Sequence, residues 1–234
     1  MRCEASFCYR GNAEGVFEVT LNSVVKNLLD DKSRQVIGEY RACDKGYKMA
    51  YFPMMIDLQD KPVLVIGAGE EGTKKVEVLY DFGCNITLVA KEATEAAIEK
   101  SSAFINRAFE DSDINENYVM IVTATNDREL NKHISELANR FKIPINVVDD
   151  TELCSFIFPA IVKDRDVVVS VSSGGKSPYV AQHIKGIIKE NIPNDIGIIN
   201  DKMGEYRQLA KQEISDVSER RKFLRAKLND LLPN

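Results

Sequence analysis

The feature that most constrains the fold is a regular alternation of short apolar runs with helix-period segments, beginning after Pro62. The run Val63–Ile66 is followed by an amphipathic segment over 71–82, a second apolar run over 86–90 and a helix-period segment over 93–100. Strands that alternate with helices in this way predict a parallel sheet with helices packed on its faces.

The same alternation continues along the chain. We expect strands at 103–105, 119–124 and 145–148, and a helix from Arg128 to Phe141 whose apolar residues fall on one face. These elements complete a Rossmann-type domain, which we place at residues 49–155. Residues 1–48 lack a regular pattern and are left as an unassigned N-terminal extension.

After residue 155 the pattern changes. Two β-rich runs flank Lys163–Asp166, which predicts a hairpin within a segment of residues 156–177. Residues 178–234 then form a small helical domain, with breaks near 192–194 and 215–216 and an apolar stripe on its first helix at Val180, Ile184, Ile187 and Ile188. The fold class is therefore α/β, with a Rossmann-type sheet, a hairpin and C-terminal helices. Because the apolar hairpin has little chain to cover it, we expect it to form a homodimer.

Composition limits the kind of partner. The net charge is −5, whereas nucleic acid and anionic lipid surfaces favour basic proteins. No apolar run approaches the roughly 20 residues of a membrane helix, and none resembles a secretory signal. Five cysteines without a C-x-x-C pair favour reduced thiols over a disulfide framework or a metal site. We therefore expect a cytoplasmic protein without a metal, nucleic-acid or membrane partner.

The glycine turn GAGEEG follows the first strand and opens the first helix. Gly67 permits the tight turn, Gly69 lets the backbone approach a pyrophosphate, and Gly72 lets the helix and strand pack closely. This context predicts a dinucleotide site rather than a chance glycine-rich turn.

An acidic residue normally ends the second strand of such a site, but Ala90 occupies that position. Glu92, in the loop that follows, is available to the adenosine ribose and favours NAD, whereas Lys91 is available to a 2′-phosphate and favours NADP. NAD is the preferred cofactor. Alternatively, both are solvated charges that start a helix.

Two further strand ends carry polar residues. Thr125, in the loop TATND, lies where the fourth strand passes the cofactor, although Asn126 or Asp127 also suits the N-cap of the next helix. In NVVDD, Asp149 comes directly off a strand and is the better candidate for a general base, with Asp150 already in the turn. The alternative is a turn-forming Asp.

The loop SSGGKSP joins the hairpin to the helices. Ser173, Gly174 and Lys176 suit an anion-binding loop for substrate, whereas a linker capped by Ser177 is the competing interpretation.

Taken together and in order, GAGEEG, TATND, NVVDD, SFIFPA and SSGGKSP, followed by a helical tail with ERRKF, resemble the precorrin-2 dehydrogenase/sirohydrochlorin ferrochelatase family. That family includes the first part of trifunctional bacterial siroheme synthase. The resemblance runs from about Ala50 to the C-terminus, and residues 1–48 have no counterpart. Its members oxidise precorrin-2 to sirohydrochlorin with NAD, and some also insert ferrous iron.

The resemblance implies roles for particular residues. Glu70 and Glu71 match positions that contact NAD, and Lys91 and Glu92 match a second nucleotide-contacting pair. Asp149 matches the carboxylate used in both activities, Ser173 matches a serine at the tetrapyrrole site that is phosphorylated in some members, and the family also implies a homodimer. The substrate carries eight carboxylates, for which the candidate partners are Lys163, Arg165, Lys176, Arg220, Arg221 and Lys222.

Two alternatives remain. A non-enzymatic nucleotide-sensing module, such as a regulatory Rossmann domain, accounts for GAGEEG and little else. A dehydrogenase of small hydroxy acids would use a histidine at a strand end, but His133 and His183 both fall in predicted helices.

Overall fold

The computed structural model describes residues 51–232. The strands in this range are β1 (Pro62–Ala68), β2 (Asn85–Ala93), β3 (Ala103–Asn106), β4 (Met120–Thr123), β5 (Ile145–Val147), β6 (Ala160–Asp164) and β7 (Val167–Val171). The α-helices are α1 (Glu70–Asp81), α2 (Glu95–Glu99), α3 (Arg128–Arg140), α4 (Pro178–Asn191), α5 (Ile196–Glu213) and α6 (Val217–Leu231), with short 3₁₀ turns at Asp111–Asp113 and Thr151–Leu153.

The first five strands form one parallel sheet in the order β3-β2-β1-β4-β5. The chain order reverses between β1 and β4, so the carboxyl ends of these two strands form the crevice in which open α/β sheets bind ligands. This topology confirms the predicted Rossmann-type sheet.

The core explains why the strands read as continuous apolar runs. In β1, Val63 and Val65 belong to one hydrophobic cluster, whereas Leu64 and Ile66 belong to another on the opposite face of the sheet. All four are almost fully buried. A parallel sheet covered on both faces requires apolar side chains on both sides of its central strands.

The hairpin is antiparallel, as expected, and Asp164 pairs with Val167 across a two-residue turn. Arg165 in that turn adopts a left-handed φ of 51°. The tip is tied to α5, because the backbone N–H of Gly197 donates to Asp164 Oδ2 at 2.6 Å and Arg165 Nη1 lies 2.7 Å from Asp201 Oδ2. The helical breaks after Asn191 and Glu213 also agree with the sequence.

Two helices differ in detail from the sequence prediction. The second helix begins at Glu95 rather than Ala93, because Thr94 caps it by accepting from the N–H of Ala97. The apolar stripe expected on α4 is only partly covered: Val180 and Ile184 are exposed, Ile187 and Ile188 are half-buried, and Ala181 is the buried residue of this helix.

Candidate functional site

The glycine turn packs directly against the loop that follows β4. Gly67 has a φ of 89°, and a Cβ built on it would lie 2.6 Å from the carbonyl oxygen of Ala124. Only glycine suits this position, because a side chain would be strained and would clash with backbone. The turn at Gly67 thus sets the spacing between two strand ends.

The start of α1 is open for an anion. Gly69 is its N-cap and provides no side-chain acceptor for the first amides of the helix. A Cβ built on Gly69 would have no atom within 4 Å, whereas one on Gly72 would collide with the carbonyl oxygen of Gly67. The free N–H groups and the helix dipole therefore fit a pyrophosphate approaching Gly69.

A charge cluster flanks this opening. Lys74 Nζ donates to Glu70 at 2.9 Å and to Glu71 at 2.8 Å. The hydrogen bond and charge of Lys74 hold the pKa of Glu70 below its usual value, while the two glutamates raise the pKa of Lys74. Glu70 and Glu71, the two acidic residues expected near the nucleotide, therefore share Lys74 as an ion-pair partner.

Lys91 and Glu92 lie within β2 rather than in a loop, which corrects the expectation for both residues. The register pairs Ile66 with Val89 and resumes at Ala68 with Ala93, leaving Ala90, Lys91 and Glu92 as a bulge opposite Gly67. Ala90 is buried, whereas Lys91 and Glu92 are exposed. Bulges change the direction of side chains at the rims of sheets. The bulge in β2 places Lys91 and Glu92 next to the glycine turn.

A buried asparagine organises the loop after β4. Thr123 and Thr125 both donate their hydroxyls to Asn131 Oδ1, at 2.6 and 2.7 Å, and Asn131 Nδ2 donates to the carbonyl of Thr125 at 2.9 Å. Asp127 caps α3 by accepting from the N–H groups of Glu129 at 3.0 Å and Leu130 at 3.1 Å, which confirms the N-cap interpretation for Asp127. Sequence analysis missed Asn131, although a polar residue beside an apolar helical stripe was the available signal.

Asp149 lies in a turn, not directly after a strand as expected, because β5 ends at Val147. It has a left-handed φ of 61° and an exposed side chain. Asp150 has structural partners: its carboxylate accepts from the N–H of Glu152 at 3.2 Å and from Arg128 Nε at 3.0 Å. Asp149 is therefore the carboxylate that remains available to a ligand.

A cleft of about 980 Å³ brings Asp149 together with two other predicted site residues, Glu71 and Ser173. Its walls come from α1, the turn after β5, the hairpin and the start of α4. The lining does not include these other candidates: Gly67, Gly69, Glu70, Gly72, Lys91, Glu92, Thr125, Gly174 and Lys176. Glu71 is the predicted residue shared by the nucleotide turn and the cleft.

The loop SSGGKSP is both a helix cap and a wall of the cleft. Ser177 caps α4 by accepting from the N–H of Val180 at 3.3 Å, with Pro178 as the first helical residue, as the linker interpretation predicted. Ser173 Oγ accepts from the N–H of Ser177 at 3.0 Å, and its own hydroxyl proton is available to a ligand. Lys176 is exposed and lies outside the cleft.

Lys75 is a cleft residue that sequence analysis missed. Its ammonium lies 4.8 Å from the centroid of the Phe158 ring. Burial lowers its pKa, and the charges of Glu71 and Asp149 oppose that shift. The available signal was helical spacing, because Lys75 shares the cleft-facing side of α1 with Glu71 and Val78.

Of the cations proposed for substrate carboxylates, Lys163 lines the cleft and the others do not. Arg165 pairs with Asp201, and Lys222 pairs with Glu219 at 2.9 Å on α6.

Residues 51–232 contain no cluster of three or more His, Cys, Asp or Glu side chains suited to a metal ion. None of the helices in this range is long and apolar enough to cross a membrane.

Comparison with known proteins identifies the relatives of this chain. Residues 54–160 match a family described as putative NAD(P)-binding. The chain is 36% identical over 179 residues to siroheme synthase from Ruthia magnifica subsp. Calyptogena magnifica, and 36% identical over 179 residues to the enzyme of that name from Methylococcus capsulatus.

This chain is a relative of siroheme synthase. The similarity confirms the family resemblance drawn from the motifs and the presence of an NAD(P)-binding domain. The alignments cover 75% of this chain, but the chain spans only about 38% of the length of those siroheme synthases. A solved structure, "SirC, precorrin-2 dehydrogenase", matches 75% of this chain and 88% of its own with a TM-score of 0.58 and 22% identity, and it confirms the fold class.

Proposed function

We propose that this protein oxidises precorrin-2 to sirohydrochlorin with NAD, as a step of siroheme biosynthesis. The carrying observation is that one cleft is lined both by Glu71, in the first turn of the helix that follows the glycine turn, and by the carboxylate of Asp149. The names of the relatives support this reaction: several are siroheme synthases, and the SirC structure is called a precorrin-2 dehydrogenase.

The reaction removes two hydrogens from the substrate. When bound, NAD supplies the hydride acceptor and becomes NADH. The free amides of the first turn of α1, which begins after Gly69, would hold the pyrophosphate of the nucleotide, and Lys91 and Glu92 in the β2 bulge would be available to its ribose. The carboxylate of Asp149 takes the proton that accompanies the hydride, so that precorrin-2 and NAD give sirohydrochlorin, NADH and one proton.

Metal insertion is a second use of the same carboxylate, implied by the family resemblance. Ferrous iron would then be a substrate, and Asp149 would accept pyrrole protons as the metal enters. Asp81 also lines the cleft, but it lies at the far end of α1, whereas Asp149 is at the sheet edge and matches the family's carboxylate, so we assign both reactions to Asp149.

We also propose a homodimer and the division of the chain into residues 49–155, 156–177 and 178–234. Each hairpin strand has one paired edge in the described chain, so its outer edges are available to another chain. Tyr179 and Val180 on α4, which packs on this hairpin, are exposed. A second copy would cover both surfaces.

The test is an anaerobic assay of the purified protein with precorrin-2. The absorption spectrum of sirohydrochlorin should appear only when NAD is present. Binding of NAD without formation of that product would favour the nucleotide-sensing alternative and contradict the proposed function.

A further inference from the structure

One wall of the cleft carries two aromatic rings, each of which contacts a lysine. Lys75 Nζ lies 4.8 Å from the centroid of Phe158, and Lys163 Nζ lies 5.4 Å from the centroid of Phe82. Phe158 is supported by Phe156, with 5.4 Å between the ring centroids. All the residues named here except Phe156 line the cleft.

Neither lysine has an acidic partner in the part of the chain that the structure describes. No carboxylate of residues 51–232 lies within 4 Å of Lys75 or Lys163, whereas the adjacent Lys74 contacts both Glu70 and Glu71. Lys75 is half-buried, and burial lowers its pKa. Glu71 and Asp149 act on Lys75 only as charges beyond contact distance. Partial burial of this ammonium without a contacting carboxylate is unfavourable, so an anionic ligand that contacts Lys75 would be stabilised.

The two lysine–ring pairs contact α1 at different points along its axis, through Lys75 itself and through Phe82 at its C-cap. Lys75 and the ring that contacts Lys163 are anchored two helical turns apart, roughly 10 Å along the axis. The apolar surface between them includes Val78 and Ile157. A flat apolar ligand with carboxylates at its periphery matches this arrangement of an apolar wall between two cations.

We propose that Lys75 and Lys163 bind two different carboxylates of one macrocycle at opposite ends of this aromatic wall, and thereby select substrates by their peripheral carboxylates. This inference rests on the proposed function, because it assigns the tetrapyrrole to the cleft. It makes the lysines substrate-binding residues and leaves proton transfer to Asp149.

The test measures binding of uroporphyrin, a stable octacarboxylate tetrapyrrole, by its fluorescence. Lys75→Met and Lys163→Met keep an unbranched side chain but remove the charge, and each should weaken binding on the order of 10-fold, as expected for a charge-assisted hydrogen bond. Both should also reduce the salt dependence of binding. Lys163→Arg keeps the positive charge and should bind uroporphyrin with the unmodified affinity. The matched control is Lys132→Met, which removes the charge of an exposed lysine on α3.

The outcomes separate this inference from the proposed function. If the unmodified protein binds uroporphyrin and both methionine variants bind it as tightly as Lys132→Met does, the lysine assignment is overturned and the proposed function stands. If the unmodified protein binds no octacarboxylate tetrapyrrole, the lysine assignment and the proposed function both fail. NAD titration of each variant should give the unmodified affinity, which reports an intact fold.

Discussion

Asp149 is available to a ligand because its backbone adopts a conformation that few side chains tolerate. A φ of 61° costs most residues about 1–2 kcal/mol, but Asp is one of the exceptions. The neighbouring Asp150 instead caps a 3₁₀ turn and pairs with Arg128. The sequence could predict that NVVDD held a carboxylate near the sheet edge, but the hydrogen bonds that distinguish the two residues depend on the folded turn.

Asp149→Asn should lower turnover on the order of 100-fold or more while NAD affinity is retained, because the amide cannot accept the proton. Steady-state kinetics and NAD titration would measure both. If sirohydrochlorin metallation occurs and uses the same group, its rate should fall in parallel.

Asp150→Ala is the control for that variant. It removes a cap and a surface ion pair, so it should lower stability by about 1 kcal/mol and leave turnover near normal. Near-normal oxidation of precorrin-2 by the Asp149→Asn, Asp150→Ala double variant would rule out the assignment of the catalytic base to this turn.

Gly69→Val should abolish nucleotide binding without unfolding the protein. The site has ordinary backbone geometry and no atom within 4 Å of the added Cβ, so the new side chain would occupy only the space that a pyrophosphate needs. Gly67→Val is the contrasting variant, because it clashes with Ala124 and should lower the melting temperature. Tight NAD binding by Gly69→Val would show that the loop is only structural.

NAD should be preferred over NADP, because Glu92 in the β2 bulge would repel a 2′-phosphate, with Lys91 as the opposing charge. The ratio of kcat/KM for the two cofactors measures the preference. Equal values would contradict it, and Glu92→Gln should shift the ratio toward NADP.

At the scale of elements, periodicity predicted the order of strands and helices, because apolar side chains on both faces of the sheet leave a strong signal. The end of β2 was not predictable. Its last residues include Lys91 and Glu92, which break the apolar run, and its extension depends on a register shift against β1. Such a shift is a property of strand pairing, not of local sequence.

The hairpin and α4 should form the interface of a homodimer. Light scattering at micromolar concentration should give twice the mass of the chain, since the outer strand edges and the exposed Val180 and Ile184 would be covered by a second copy. Ile184→Lys adds a charge to a residue that is already exposed in one chain, and should shift the equilibrium toward a folded monomer. A monomeric unmodified protein would contradict this prediction.

At the scale of the whole molecule, the cleft combines segments that are far apart in the sequence. Glu71, Asp149 and Ser173 could each be proposed from a local motif, but their convergence depends on how the hairpin packs beside the sheet. Lys75 was missed for the same reason, since its ring contact is with Phe158. Motif order could predict the family, whereas the shape of the site required the tertiary structure.

Deletion of residues 1–48 should leave the rate of precorrin-2 oxidation unchanged, because the family resemblance begins at about Ala50. This segment lies outside the residues that the structure describes. The test compares the oxidation rates of the full-length and shortened proteins. A large loss of activity in the shortened protein would show that residues 1–48 contribute to the site.

An anaerobic single-turnover experiment with enzyme in excess over precorrin-2 would test directly whether Asp149 and NAD oxidise the substrate together. NADH fluorescence and sirohydrochlorin absorbance would be recorded together for the unmodified protein and for Asp149→Asn. We expect one NADH for each sirohydrochlorin in the unmodified protein and a slow reaction in the variant. Formation of sirohydrochlorin without NADH, or NAD binding with no oxidation at all, would contradict this expectation.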